Sequence, residues 1–462
     1  MVDPRRDRRP PSELTDGDVN DAIDRIAARD AEQARDARHV YETLTWGEGP
    51  AQLRLAGVQE WLWYRLATKY MTDEVGYMTR LAATAAELFD ELGLDGYAAL
   101  CRSETTAAVH GAYETSDAKG IAAMRRAASA SGIDPPDLWD FAWGQVMGME
   151  ESRARTAVED ALERAIAEGE LTPGGRGWRS VQREMTQRAL DVDHPLQPGQ
   201  SWRTAVITER IGAWVDEAAR RSETLGRLRA AVGNRLLHPV PPPPDVAELL
   251  APLTWLLDVF GDEQTLTQVG YLNTTFVRRF DDERPWEDRF PRPTPARSEA
   301  DDPVLSRLRA LLEALGGLRK RGRTLRRTKR GVEMASDPSQ LWTALTEGMS
   351  RAPWERFVAE TSAVVLLDVG GAVSESQLRA GVAGLAADTG WMSSGGGGGS
   401  RSPSEHDVSW AFSDTRALLQ LFGMLTEHGD WRDRRLELTR AGETTLVAML
   451  RVVAAGPRER PW

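Results

Sequence analysis

Two stretches of the chain run in parallel: Leu311-Leu312-Glu313-Ala314-Leu315-Gly316-Gly317-Leu318-Arg319-Lys320-Arg321-Gly322, and Leu418-Leu419-Gln420-Leu421-Phe422-Gly423-Met424-Leu425-Thr426-Glu427-His428-Gly429. Leu311, Leu312, Gly316, Leu318 and Gly322 recur at identical spacing as Leu418, Leu419, Gly423, Leu425 and Gly429. In each, paired leucines close a helical pattern, and a glycine can cap it in the left-handed conformation. Outside these stretches, Leu256-Leu257-Asp258-Val259 is matched by Leu366-Leu367-Asp368-Val369. Thr265-x-x-Gln268 and Ser374-x-x-Gln377 both read as capping boxes, which predicts a helix starting at each. Beyond the stretches, Leu325, Thr328 and Gly331 answer to Leu438, Thr439 and Gly442, with extra residues at a hairpin tip in the second copy.

Self-similarity at a fixed period is the mark of a repeated structural unit. The predicted order in each copy is helix, capped helix, helix, short strand, turn, strand, helix, the order of a winged helix-turn-helix with the turn as its wing. The expected fold class is therefore mainly α, a helical N-terminal region followed by two tandem winged-helix-like units, residues 248–350 and 356–455.

Working outward, residues 238–247 hold His238-Pro239-Val240-Pro241-Pro242-Pro243-Pro244 and are expected to be a Pro-rich linker, since proline cannot continue a helix. Residues 17–237 carry apolar positions at three- and four-residue spacing, such as Leu81, Ala85, Leu88, Phe89 and Leu92, and read as helical domains. After Pro135-Pro136, the aromatic residues Trp139, Phe141 and Trp143 are expected to be absorbed by a helical core. Residues 1–16, rich in Arg, Asp and Pro, read as a disordered arm. Asp281–Asp302 is a charged, Pro-containing insert, and the five glycines Gly395–Gly399 read as a flexible loop.

At 462 residues, with 41% hydrophobic and 28% charged, the chain has ample apolar surface for several compact units. Its one cysteine, Cys101, excludes an internal disulfide framework and a cysteine-based zinc site. With no signal-peptide pattern at the N-terminus, the expected location is the cytoplasm. The most apolar run, Ala363–Val369, is broken by Asp368 and is far shorter than a bilayer requires, so no membrane association is expected.

A family resemblance supports the first unit. Trp255 to Leu272, with Leu266-Thr267-Gln268-Val269-Gly270-Tyr271-Leu272, then Leu315-Gly316-Gly317-Leu318-Arg319-Lys320 and Asp337-Pro338-x-x-Leu341-Trp342, resembles a region of actinobacterial proteins of the plasmid Ri ORF-three type. The resemblance covers about residues 250–345 and implies neither an activity nor a catalytic residue.

The densest charge feature is the block Arg319, Lys320, Arg321, Arg323, Arg326, Arg327, Lys329 and Arg330, with no acid among its residues. A net charge of −12 argues against a chain that coats nucleic acid over its whole surface, but not against a local basic patch. As the first wing, beside a helix carrying Arg307 and Arg309, the block suits contact with a double-stranded DNA backbone while the helix enters a groove. The second hairpin mixes signs, which favours the alternative of a scaffold binding a protein partner or forming a homodimer. A third reading is an enzyme with a site in residues 52–193. No catalytic, cofactor or metal site is expected from the sequence itself. The six histidines lack ligand spacing, Gly174-Gly175-Arg176-Gly177 lacks the phosphate-loop pattern, and Cys101 and His110 point apart on a helix. Trp61, Trp63, Tyr64, Tyr70 and Tyr77 fall at helical spacing and read as core.

Overall fold

The computed structural model describes residues 10–70, 76–283, 296–348, 352–394, 400–430 and 432–459. Helices dominate, and the strands form small antiparallel sheets. The chain divides into two compact units, Met1–Val206 with Pro457–Trp462, and Ile207–Gly456.

Several helices of the N-terminal unit begin at a side-chain cap. Thr15 accepts a hydrogen bond from Asp18 N–H while the Asp18 carboxylate accepts from Thr15 N–H, and the helix Asp16–Ala27 follows. Order therefore begins earlier than the expected arm boundary: Pro11–Glu13 form a 3-10 turn and Leu14 is buried. Residues 1–9 of the expected arm lie outside the described residues. Trp61, Trp63 and Phe141 are core, as read, but Trp139 is 92% exposed. The chain over Ile133–Gly148 makes no helix, so Trp139 is not carried on the face that buries Phe141.

One helix departs from regular geometry. Over Trp61–Arg65 it widens into a π turn, with Leu66 N–H reaching Trp61 O, and the imidazole Nε2 of His110 lies 2.9 Å from Leu62 O. A carbonyl only accepts, so Nε2 carries the proton. Burial holds the His110 pKa below its ordinary value, and the ring stays a neutral donor.

Glu163 is the most perturbed carboxyl of this unit. Burial pushes its pKa up to about 7, against the pull of hydrogen bonds from Tyr97 Oη (2.9 Å) and Leu55 N–H (3.0 Å). Between the ordinary carboxylate range and about pH 7, the folded chain therefore holds more protons than the unfolded one, and stability falls as pH rises. Burial also raises Glu159, beside Arg155 and Arg54. Chemical denaturation from about pH 5 to 8 should show this fall. Glu163→Gln should shrink it without abolishing it, and an unchanged slope would mean that Glu163 is ionised throughout.

In the second unit, the duplicated sequence becomes a duplicated arrangement. The first copy runs helix Ala251–Phe260, strand Glu263–Thr265, helices Thr274–Glu283 and Pro303–Ala314, strands Leu318–Arg321 and Thr324–Arg327, and helix Lys329–Ser336. The second runs helix Pro353–Val369, strand Val373–Ser374, helices Glu375–Asp388 and Glu405–Leu421, strands Leu425–His428 and Arg435–Leu438, and helix Arg440–Ala455. In both, the three strands pair antiparallel in the spatial order first, third, second. One apolar core runs through both copies. It also takes in Leu236, Leu249 and Leu250 on either side of the proline run, so residues 238–247 pack within this unit and the division falls at Val206 instead.

The matched landmarks meet at one joint. Thr328 Oγ1 accepts from Gly331 N–H (2.9 Å) and donates to Gly316 O (2.7 Å), and Thr328 N–H donates to Gly317 O (3.0 Å). Thr439 repeats this with Gly442 N–H (3.1 Å), Gly423 O (3.0 Å) and Met424 O (3.1 Å). A Cβ on Gly331 would lie 2.2 Å from Gly317 O, and one on Gly442 1.9 Å from Met424 O. Close backbone approach is what requires glycine here.

Three local expectations are corrected. Thr265 ends a strand, and the next helix starts nine residues later, where Asn273 Oδ1 accepts from Phe276 N–H. Ser374 does precede a helix, but its hydroxyl bonds Ser376 and makes no cap. The counterpart of Leu325 is Leu436, fully buried and second in its strand, not Leu438. Alanine at Gly331 or Gly442 should cost about 2 kcal/mol or more by overpacking against a carbonyl. A denaturation midpoint unmoved in both variants would refute the joint.

Candidate functional site

The basic hairpin owes its form to a two-residue connection. Gly322 adopts φ 61° and Arg323 does not share the positive φ, which suits a turn with glycine first. Leu318 and Leu325 point into the core, so the alternate residues point out. Across the outer face, Arg319 lies opposite Arg326, which lies opposite Glu263 on the neighbouring strand. Glu263 pairs with Arg326 at 2.7 Å, which offsets the like-charge contact with Arg319.

The ten cations singled out by the sequence separate into two groups. Arg309 is structural: its guanidinium binds Glu299 (2.7 Å), Glu313 (2.7 Å) and Gly270 O (3.1 Å), with side chains 13% and 4% exposed for Arg309 and Glu299. Glu299 also accepts from Leu272 N–H at 2.6 Å, so this pair ties the 266–272 turn to the helix Pro303–Ala314. Arg307 reaches Asp414 in the other copy at 2.8 Å. Arg327 donates to Leu257 O, with Asp258 and Asp262 nearby, while Lys329 and Arg330 face Glu333 and Glu347. Arg319, Lys320, Arg321 and Arg323 form the second group, exposed and without an acidic partner among the described residues.

The groove-entering helix expected from the sequence takes a different place. Val304, Leu305, Leu308, Leu311 and Leu312 of Pro303–Ala314 are buried, and only Pro303 and Ala310 are well exposed. With Arg307 and Arg309 held by carboxylates, that helix offers no open basic face. In the second hairpin, Arg416 and Arg434 each pair with Glu375 and Glu427, and His428 with Glu437. Trp431 at its tip lies outside the described residues.

In the N-terminal unit, Cys101 is buried and its thiol pKa is pushed far up by that burial, while His110 is committed to Leu62 O. His194 donates from Nε2 to Glu150 at 2.8 Å and accepts Leu196 N–H at Nδ1, a fully used ring packed on Trp202. Among the described residues, no three His, Cys, Asp or Glu side chains cluster to hold a metal, and no helix is long and apolar enough to cross a membrane. Sequence reasoning missed the Arg309–Glu299 pair, because Glu299 sits in a charged insert that reads as solvated chain. No family model, curated protein or solved structure matches this chain.

The two groups of cations should respond differently to truncation. Arg309→Ala leaves Glu299 buried without its counter-ion and should cost on the order of 3 kcal/mol. Arg319→Ala should change stability by less than about 0.5 kcal/mol. Equal effects in chemical denaturation would contradict the division.

Proposed function

We propose that Ile207–Gly456 is a tandem pair of winged-helix units in a noncatalytic cytoplasmic protein, and that the wing of the first contacts the phosphate backbone of double-stranded DNA. The element order and the first, third, second strand order in both copies support the winged-helix reading. The observation that carries the DNA reading is the cluster Arg319, Lys320, Arg321 and Arg323, four exposed cations around one hairpin tip with no acidic partner among the described residues. Such a tip binds phosphate without reading base edges, since those are reached by an open helix or strand in a groove and the helix Pro303–Ala314 is sealed. The expected mode is therefore sequence-tolerant and steeply salt-dependent.

A second reading, a protein-docking unit, is favoured by Trp410, which stands 77% exposed on the helix Glu405–Leu421. Large exposed aromatics are common anchors of protein interfaces.

Fluorescence anisotropy on a short duplex of random sequence, across a salt series, separates the two. Four phosphate contacts correspond to a log–log salt slope of about −3.6. Changing Arg319, Lys320, Arg321 and Arg323 together to Ala should remove that slope and the binding with it. If the parent chain binds no duplex, or the variant binds as the parent does, the DNA reading fails and docking through Trp410 becomes the reading to test.

A further inference from the structure

The N-terminal unit holds a partly open cavity of about 300 Å³, within the size range of small-molecule sites. Leu55, Gln59 and Trp63, spaced four apart, present one side of a helix to it, and Leu100, Ile133 and Ile166 supply apolar wall from three other segments. No ionisable side chain lines it. Trp63 Nε1 is satisfied by Thr106 Oγ1 at 3.0 Å, and Ser131 Oγ by Ala128 O at 2.8 Å. Gln59 differs. It is only 8% exposed, yet its carboxamide has no hydrogen-bond partner among the described residues.

The amide is not sealed in the protein: it lines the cavity, and with no protein group paired to it, its donor and acceptor are free for whatever enters. A second observation points the same way. The π turn Trp61–Arg65 begins two residues after Gln59 and carries Trp63 into the wall, and such turns cluster at functional sites.

We propose that this cavity is a binding site for a small, uncharged, largely apolar molecule whose single hydrogen-bonding group pairs with the Gln59 carboxamide. Charge is excluded by the wall: an ionised ligand would lose its hydration with no counter-charge in reach. Specificity comes from Gln59, which offers a carbonyl acceptor and an N–H donor at one spot in an apolar surface.

The test uses the full chain and two fluorescent probes that share a skeleton. N-phenyl-1-naphthylamine is neutral with one N–H, and 8-anilino-1-naphthalenesulfonate adds a sulfonate. The neutral probe should bind saturably with enhanced emission, and the anionic one at least tenfold more weakly. Gln59→Leu, close in volume, should weaken the neutral probe about five- to tenfold, the size of one hydrogen bond. Ala127→Phe, which fills the cavity from the wall, should abolish saturable binding. Circular dichroism of both variants checks their folding, and the comparison of the two probes on the parent chain needs no variant. The proposal is overturned if the neutral probe does not bind the parent, if the anionic probe binds equally well, or if folded Gln59→Leu and Ala127→Phe chains bind as the parent does.

Discussion

The Thr–Gly joint is the constraint on which the second unit depends. A threonine hydroxyl that both caps the last helix and grips the carbonyl before the hairpin fixes two elements with one side chain. The glycine three residues on then lets the helix backbone ride onto the carbonyl at the start of the hairpin, closer than any side chain permits. Because the joint sits between the hairpin and the helix after it, it sets where the strands leave the core. Beyond it the copies diverge, a two-residue turn in one and a longer loop in the other.

Charge is distributed in the same spirit. An acidic chain could neutralise every arginine, and around the first hairpin it pairs Arg309, Arg326 and Arg327 with carboxylates while leaving the tip without one among the described residues. At physiological salt the Debye length is about 8 Å, so the carboxylates further away have little influence on the tip. On the proposed reading, a locally cationic point on a globally anionic body would hold a polyanion at one place and repel it elsewhere.

The repeat was legible because its landmarks are backbone requirements. Thr328, Gly331, Thr439 and Gly442 have to be those residues wherever the joint is kept, whereas the surrounding apolar positions tolerate exchange. The basic block was legible as composition, but its division was not: nothing near Arg309 in sequence announces Glu299 as its counter-ion. The hydroxyl at Thr265 suggested a cap, and sheet pairing with Thr324 decided otherwise. A leucine two places from its true counterpart, Leu438 for Leu436, shows why strand register is hard to read where apolar residues alternate. The cavity around Gln59 was invisible for a different reason. Its walls come from segments scattered over more than a hundred positions, and a glutamine in an amphipathic helix has no signature until its lack of a partner is seen.

Both copies share one core, and Trp342 of the first donates its indole N–H to Thr445 of the second at 3.1 Å. Duplication here has produced a pair that is no longer divisible. Neither half is a transferable module that can be spliced into another protein, because each would carry away an unfinished face. What the shared core couples is stability, so damage to either copy is felt by both, while the two hairpin tips stand outside that core.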